Sequence, residues 1–536
     1  MHQPYPLVIA KKMIEISDNP RDMGVEHDEW RPNQLAMLRK VLESEDEFVF
    51  GELATGSGKS AVATALGHDE NVLVCVHTLA LLTQYEERYG FDVIRGKQEY
   101  KCVFEPKVRK WSAFGEPPTA ADCTYQPMTK CSVFAECPYV LAKMKAFASN
   151  RCACTYKYAA LSGMAQVRKG YLIFDEAHDS VEELISFNKF EYAYRYIESY
   201  HLPPFPITEY GEENAGDILD SKTIDIIVDW VDKCATKMVN KTRSDTRRGS
   251  KTKRLYDGLL RMATQIRYGE WYLKIEDKWF WIQALRADII ANRIFGNKRR
   301  KLFMSATIGN PEPLAQALGI EKFESFTFPH PIPIKNRPID RLEVPRMTHR
   351  NLSRNNAIYK FQVDRAWEWI SMFDPNWRGV VLTTSYKKIM EFYGHMKRHT
   401  GSRRLVVQEK GMKVGDVVDR FITDVRDGDI MIGTVQGMGT GIDLHGNLAR
   451  WAVIAGVPHV NPRDNYMKVR RQIMGGQTYQ HWITYNAVTQ AAGRISRGSV
   501  SSNGEYLTNY VAIADDSAMT KTALQYYPEW FKEAIA

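Results

Sequence analysis

Short apolar runs bounded by glycine and polar residues recur along the chain, and each reads as a buried parallel strand. Phe48-Val49-Phe50 is followed by the glycine-rich stretch Gly51–Ser60 and an alanine-rich run, 61–66, which predicts strand, loop and helix. NVLVCV (71–76) predicts the next strand, with His77-Thr78 at its carboxyl end and a helix carrying Leu79, Leu81, Leu82 and Tyr85. RCACTYKYAALSG (151–163) predicts a return strand into a helix, and YLIF (171–174) and KLFMS (301–305) predict two further strands. A second series follows: GVVLTTS (379–385), RRLVVQE (403–409), DIMIGT (429–434), WAVIAGVP (451–458) and LTNYVAIA (507–514), with a helix over 389–399. Residues 27–50 read as a helix leading into the first strand, with Pro32 near its first turn. Six prolines between 313 and 345 predict an irregular linker between two α/β lobes.

Two segments interrupt the first series. From about 92 to 155 cysteine, lysine, proline and aromatic residues mix without strand alternation. From Asp179 to about 293 the pattern is mostly helical and rich in Tyr and Trp. Its centre, 240–254, holds seven basic residues and one acidic, which predicts an exposed loop or a phosphate-tracking surface.

The chemistry starts at the first loop, GELATGSGKS. Backbone N–H groups of Thr55, Gly56, Ser57 and Gly58, at a helix N-terminus, can cradle phosphates. Lys59 can reach the β- and γ-phosphates of a nucleotide, and Ser60 can hold Mg²⁺. Leu53 stands where the strict phosphate-loop pattern begins with Gly. The run at 171–174 ends in Asp175-Glu176-Ala177-His178, so Asp175 is placed to hold Mg²⁺ and Glu176 to orient and deprotonate water. Together the two motifs predict a nucleotide-hydrolysis site. Gln34 is either an adenine reader or an exposed glutamine. Ser305 and Thr307 can link the pocket to the sheet edge. Gly441 and Asp443, in QGMGTGIDLHG (436–446), predict a loop passing close to a ligand. Arg494 and Arg497 are three apart on a helix and can clamp a γ-phosphate, with Gln490 four before Arg494.

Composition narrows this little. The 536 residues are 44% hydrophobic and 25% charged, as in a soluble globular protein, and no run is long and apolar enough to span a membrane. The N-terminus lacks a cleavage-like site and reads as mature protein. The net charge of +8 suits an anionic partner. Of eight cysteines, Cys102, Cys123, Cys131 and Cys137 fall in one 36-residue window, separated by 20, 7 and 5 residues. Tight zinc knuckles are missing, and the loose spacing fits a cubane iron–sulfur cluster, with zinc or buried thiols as alternatives. Cys152 and Cys154 share one strand face, and Cys75 lies in an apolar strand.

These motifs, in order, carry a resemblance: RPNQ (31–34), ATGSGKS (54–60), VHTLALLTQY (76–85), GKQEYKC (96–102), CPY (137–139), FDEAH (174–178), MSAT (304–307), TTSY (383–386), GMGTGIDL (437–444) and QAAGRISR (490–497). The chain resembles the XPD/DinG-like, iron–sulfur group of superfamily 2 DNA helicases. GKQEYKC and CPY, which flank the cluster insert in that group, are its most specific marks. The resemblance implies an α/β fold of two RecA-like P-loop NTPase domains, the first carrying an iron–sulfur cluster insert and a helical arch-like insert. The implied divisions are 1–94, 151–182 and 295–330 for the first motor domain, 95–150 for the cluster domain, 183–294 for the arch and 331–536 for the second motor domain. It implies ATP, Mg²⁺ and a 4Fe-4S cluster on Cys102, Cys123, Cys131 and Cys137. Lys59, Ser60, Asp175, Glu176, Arg494 and Arg497 take the family's catalytic roles, and Gly441 and Asp443 its coupling loop. It also implies 5′ to 3′ movement of a monomer on single-stranded DNA, with unwinding of forked or tailed duplexes, in the cytoplasm, nucleoid or nucleus. Leu53, the short third cysteine gap and the compact arch segment depart from the family pattern, and no exonuclease domain is expected. An RNA helicase, a translocase without strand separation and a non-catalytic nucleic-acid-binding protein are the competing expectations.

Overall fold

The computed structural model describes residues 16–536 apart from 55, 113–116, 124, 126–127, 168–169, 208–217, 240–246, 297–299, 356, 439–443, 445, 462 and 496–504. The basic loop's first part, and Thr55, Gly441, Asp443 and Arg497, lie outside the described residues.

The first strands are β1 (Phe48–Glu52), β2 (Val72–Val76), β3 (Asp92–Ile94), β4 (Arg151–Thr155) and β5 (Tyr171–Asp175). Then come β6 (Lys189–Ala193), β7 (Trp271–Glu276), β8 (Trp279–Ala284), β9 (Arg300–Ser305) and β10 (Glu324–Thr327). The last six are β11 (Ile339–Arg341), β12 (Gly379–Thr383), β13 (Leu405–Val407), β14 (Ile430–Thr434), β15 (Trp451–Ile454) and β16 (Tyr510–Ile513). They form a seven-stranded sheet in the order β10-β1-β9-β5-β2-β4-β3, a six-stranded sheet in the order β11-β16-β15-β12-β14-β13, and a three-stranded sheet β6-β8-β7. Every pairing in the two large sheets is parallel. Two α/β domains with parallel sheets of tandem RecA-like type therefore form the framework, as the alternation of apolar runs predicts.

The register of the first sheet is what levels the chemistry. Phe50 lies opposite Phe303, and Phe303 opposite Phe174. Their rings stack across the sheet at 4.7 and 4.5 Å, and Phe295 closes edge-on against Phe303 and Phe174. A slip of one residue would turn a phenylalanine to the wrong face, so this ladder pins the pairing. One step on, Gly51, Met304 and Asp175 are level, and Glu52 pairs with Ser305. The carboxyl ends of β1, β9, β5 and β2 thus bring the glycine-rich loop, Ser305–Thr307, Asp175-Glu176 and His77-Thr78 to one edge.

Three expectations change in detail. The first helix starts at Gln34, not before Pro32, because Pro32 and Asn33 form a turn in which Asn33 takes φ 70°. The segment after Asp179, expected as mostly helical, also holds the antiparallel sheet β6-β8-β7, whose aromatic residues Phe190, Trp271 and Phe280 pack with Trp230. The proline-rich stretch contributes an edge strand to each large sheet, β10 and β11, leaving a shorter irregular connection. Cys75, Cys152 and Cys154 are fully buried in the first sheet.

Candidate nucleotide and nucleic-acid motor site

After β1 the loop turns through Gly56 (φ 82°) and Gly58 (φ 75°), which suits glycine, and Gly58 caps the helix Lys59–Asp69. Gln34 is buried, and its Nε2 donates to the carbonyls of Ser57 (2.8 Å) and Gly58 (2.9 Å) while its Oε1 accepts from Arg31 N (2.9 Å). A Cβ on Gly58 would meet that Nε2 at 2.4 Å, so the glycine admits the glutamine. Arg31 Nη1 also donates to Gly56 O at 3.3 Å. Gln34 is thus not an exposed helix residue: its amide braces the loop. Leu53, the departure from the family pattern, is fully buried in the same apolar cluster as Met37, Val62 and Leu302, and its N–H donates to Ser305 O at 3.1 Å. A large apolar side chain is accommodated beneath the loop.

Glu176 takes φ 50°, an uncommon backbone for a residue with a side chain, and turns the chain sharply at the end of β5. Its Oε1 stands 3.7 Å from Lys59 Nζ. Burial raises the Glu176 carboxyl's pKa, but Lys59, His178, Arg494 and His77 more than reverse this and bring it down to about 2. Asp175 goes the other way: burial and the neighbouring Glu176 push it up against Lys59 and the Tyr85 hydroxyl. Tyr85, from the helix Leu79–Tyr89, donates to Asp175 Oδ2 at 2.9 Å and lies in hydrogen-bond contact with Ser60. The two side chains suited to holding Mg²⁺ therefore share one phenol.

Behind them, His178 Nδ1 is 2.6 Å from Ser305 Oγ and 3.4 Å from Thr307 Oγ1, and its Nε2 lies 3.3 Å from Asp179 Oδ2. Burial lowers the imidazole's pKa, yet Asp179 and Glu176 outweigh it and leave it raised. His77 Nε2 stands 3.5 Å from the same Asp179 oxygen. The acid motif and the Ser-Ala-Thr motif are thus linked side chain to side chain.

Arg494 lies one residue from the end of the helix Thr478–Ile495, in the second lobe. It lines a cleft of about 730 Å³ together with Arg31, Gly56, Gly58, Lys59, Ser60, Asp175 and Glu176. Gln490 lines a separate cavity of about 250 Å³ with His178, Asp179 and Gln436. Trp482, on the same helix, donates its indole N–H to Ile308 O (2.8 Å), and Trp530 donates to Ala306 O (2.9 Å). The second lobe thereby grips both sides of Thr307. Tyr85, Arg31, Asp179 and the two tryptophans were not assigned roles from sequence. Tyr85, His77 and Arg31 belong to motifs, but nothing in their spacing reveals which distant groups they touch.

The cleft, shared between two parallel-sheet lobes, agrees with independent comparisons. Residues 27–207 match the family described as type III restriction enzyme, res subunit, and residues 373–534 match the helicase C-terminal domain. The chain carries superfamily 2 helicase domains. Such helicase domains are nucleic-acid-dependent ATPases, and the acid pair, lysine and arginine in one cleft suit that class. No curated protein matches the chain. Among solved structures, the chain is similar to an XPD helicase (TM-score 0.55, 15% identity, 96% of this chain and 98% of that one). It is similar to an apo XPD (0.54, 14%, 92% and 97%) and to Xpd4 of S. tokodaii (0.55, 12%, 94% and 99%). These likenesses concern the fold.

Among its described residues, the cysteine segment is built from the helix Glu105–Ser112, three short 3-10 turns and the helix Pro138–Ala148. Lys101 pairs with Thr119, Cys102 N donates to Pro118 O at 2.8 Å, and Cys137 caps the helix Pro138–Ala148. Cys102, Cys123, Cys131 and Cys137 are half-buried and carry no disulfide. Burial pushes the Cys102 thiol up, the Phe104 N–H and Lys107 oppose it, and Cys123 and Cys131 raise it further, so three of the thiols share one neighbourhood. Among the described residues, no three His, Cys, Asp or Glu side chains are grouped to hold a metal ion. No described helix is long and apolar enough to cross a membrane.

Proposed function

We propose that the protein is an ATP-driven DNA helicase of the XPD/DinG-like, iron–sulfur kind, moving 5′ to 3′ on single-stranded DNA and opening tailed or forked duplexes. The observation that carries the reading is Arg494 of the second lobe in one cleft with Lys59, Asp175 and Glu176 of the first. A nucleotide bound there would be sensed by both lobes.

Lys59 and the N–H groups of the loop receive the β- and γ-phosphates. Ser60 and Asp175 would hold Mg²⁺, with Tyr85 fixing their orientation; bound there, the ion would neutralise phosphate charge. Glu176 orients the attacking water. With Lys59 3.7 Å away its carboxylate is a weak base. A triphosphate that draws Lys59 away removes the first of the groups holding its pKa down, so substrate binding itself strengthens the base. Arg494, with Arg497, stabilises charge on the transferring phosphoryl group. Gln34 reads the adenine edge in this scheme by exchanging one of its loop carbonyls for the base. The hydrogen bonds from His178 to Ser305 and Thr307, and from Trp482 and Trp530 to the following carbonyls, carry closure of the cleft to the second lobe, and Gly441 and Asp443 couple that lobe to the strand.

The four thiols Cys102, Cys123, Cys131 and Cys137 are proposed to hold a 4Fe-4S cluster within an insert at 95–150, with 183–294 as the arch-like insert. The softness and partial burial of all four, and the shared neighbourhood of Cys102, Cys123 and Cys131, fit that group. A cubane spaces its four thiolates more widely than a single ion does. Bound there, it would crosslink the short turns between the helices Glu105–Ser112 and Pro138–Ala148. Arg254, on the helix Arg247–Ile266, pairs with Asp122 next to Cys123, which joins the two proposed inserts.

The test combines iron and acid-labile sulfide content of anaerobically purified protein with unwinding of duplexes bearing a 5′ or a 3′ tail. About four iron per chain, from the cluster type, and unwinding from the 5′ tail alone support the reading. Zinc in place of iron removes the cluster. Stimulation of ATP hydrolysis by RNA but not DNA would make the substrate RNA, and hydrolysis without unwinding would make the protein a translocase. A Lys59→Ala protein with full cellular function would favour a non-catalytic binding role.

A further inference from the structure

The lobes meet at a second place, away from the phosphates. Glu182 lies on the helix Ser180–Phe187, which follows directly from the acid motif. Arg470, on the helix Asn465–Ile473 of the second lobe, grips it with both ends of its guanidinium: Nη2 to Oε1 at 2.7 Å and Nη1 to Oε2 at 3.1 Å. Tyr479 donates its hydroxyl to Glu182 Oε1 at 2.9 Å, and its ring lies 5.1 Å from the Arg470 guanidinium. The Arg470 side chain is 2% exposed, whereas that of Glu182 is 48% exposed. A planar bidentate pair fixes orientation as well as distance, and a buried guanidinium deprived of its partner is costly.

Two further features give this contact leverage. Tyr479 begins the helix that carries Arg494 near its far end, fifteen residues on and roughly 22 Å away along the helix axis. Gln480 Nε2 donates to Met467 O (2.8 Å) and accepts at Oε1 from Arg471 Nε (3.0 Å), so the helices at 465–473 and 478–495 are joined. On its other side the helix Asn465–Ile473 meets β7 and β8: Tyr466 donates to Ala284 O at 2.9 Å and packs edge-on against Tyr272 and Trp281.

We infer that Glu182, Arg470 and Tyr479 form an interlobe latch that sets the spacing of the lobes and, through the helix Thr478–Ile495, positions Arg494 against Glu176. The three are positioning residues. The latch rests on the proposed motor reading for its catalytic consequence, but its effect on lobe spacing does not. Because the pair is bidentate and buried on one side, it is either made or broken, which gives the lobes discrete relative positions instead of a continuous range.

The experiment uses the full chain with fluorophores on non-natural amino acids at the exposed positions Glu45 and Arg398, one on each lobe. Energy transfer reports lobe spacing, and ATP turnover is measured on the same preparations. Glu182→Gln, a change at a half-exposed position, keeps the shape and removes the charge. It is expected to broaden and lengthen the interlobe distance. It should lower kcat for ATP about tenfold, a small part of what an arginine finger contributes, while changing KM by less than about threefold. Arg470→Lys keeps the charge but loses the fork, and is expected to fall between. The exchanged pair Glu182→Arg with Arg470→Glu should restore the narrow distance and most of kcat. An interlobe distance unchanged by Glu182→Gln overturns the latch, as does an exchanged pair no better than either single change. If the unsubstituted protein hydrolyses no ATP while Glu182→Gln still lengthens the distance, the latch stands and the motor reading falls.

Discussion

Two adjacent carboxylates, Asp175 and Glu176, are driven in opposite directions, and this division suits them to the different work proposed for them. Lys59 is the common neighbour. Replacing it with Ala removes both the proposed phosphate contact and the first group holding Glu176 down. We expect Lys59→Ala to lower ATP turnover by about 10²–10³-fold, as for loss of one transition-state donor, in a steady-state assay with saturating nucleic acid. A third carboxylate, Glu52, behaves differently. It is 3% exposed and accepts from Gly309 N at 2.6 Å. Burial pushes its carboxyl up to about 8, despite the opposing N–H groups of Gly309 and Ile308. An unfolded glutamate titrates near about 4.3. Between those values the folded chain holds the extra proton, so this group's contribution to stability falls as pH rises through the window. Thermal unfolding should show the Tm of the parent declining from about pH 5 to about pH 8 more steeply than that of Glu52→Gln; parallel declines would refute the assignment.

At the level of elements, the aromatic ladder of β1, β9 and β5 holds three chemical motifs at one height. Phe303 is its middle rung and is fully buried. Phe303→Ala leaves a cavity between two stacked rings, and we expect a loss of about 3–5 kcal/mol, read from denaturant unfolding of the first lobe. The segment after β9 depends on contacts from outside its own sheet. Trp530→Phe keeps the packing against Phe531 and His330 but leaves Ala306 O without its indole donor. That should cost about 1–3 kcal/mol and weaken the dependence of ATP turnover on nucleic acid, which titration with single-stranded DNA would measure.

For the whole molecule, the decisive feature is that one chain supplies both sides of the cleft. On the proposed motor reading closure is an intramolecular event, and Trp482, Trp530 and the Glu182–Arg470 pair join the lobes. Partial burial raises the pKa of the half-exposed Glu182 carboxyl, but Arg470 and Tyr479 bring it below the ordinary value. The unfolded chain then takes up this proton first as the medium is acidified. The pair's contribution is present above about pH 4.3 and is lost as pH falls through the folded value. Acid titration of the interlobe distance should show the lobes separating below that range, with Glu182→Gln already separated at neutral pH.

Local chemistry was largely legible in the residues themselves. Glycines beside Lys59 and Ser60, the strand ending in Asp175-Glu176, and repeated apolar runs specify a phosphate loop, an acid pair and two parallel sheets, because each depends on neighbours in sequence. The Phe50–Phe303–Phe174 ladder, the phenol of Tyr85 on Asp175 and the brace from Gln34 to the loop depend on residues far apart in the chain, whose meeting is decided by sheet order and register. The strand β6 was hidden for the same reason, whereas β7 and β8 form a local hairpin, with Glu276 opposite Trp279, inside a segment read as helical. The aromatic residues mark burial, but the pairing that adds β6 to the hairpin joins residue 191 to residue 281. Sequence by itself determined which chemical groups the chain carries and the local elements that present them. Only tertiary structure decided which groups meet, including Arg494 with Glu176 and Arg470 with Glu182, since contacts between lobes leave no periodic trace along the chain.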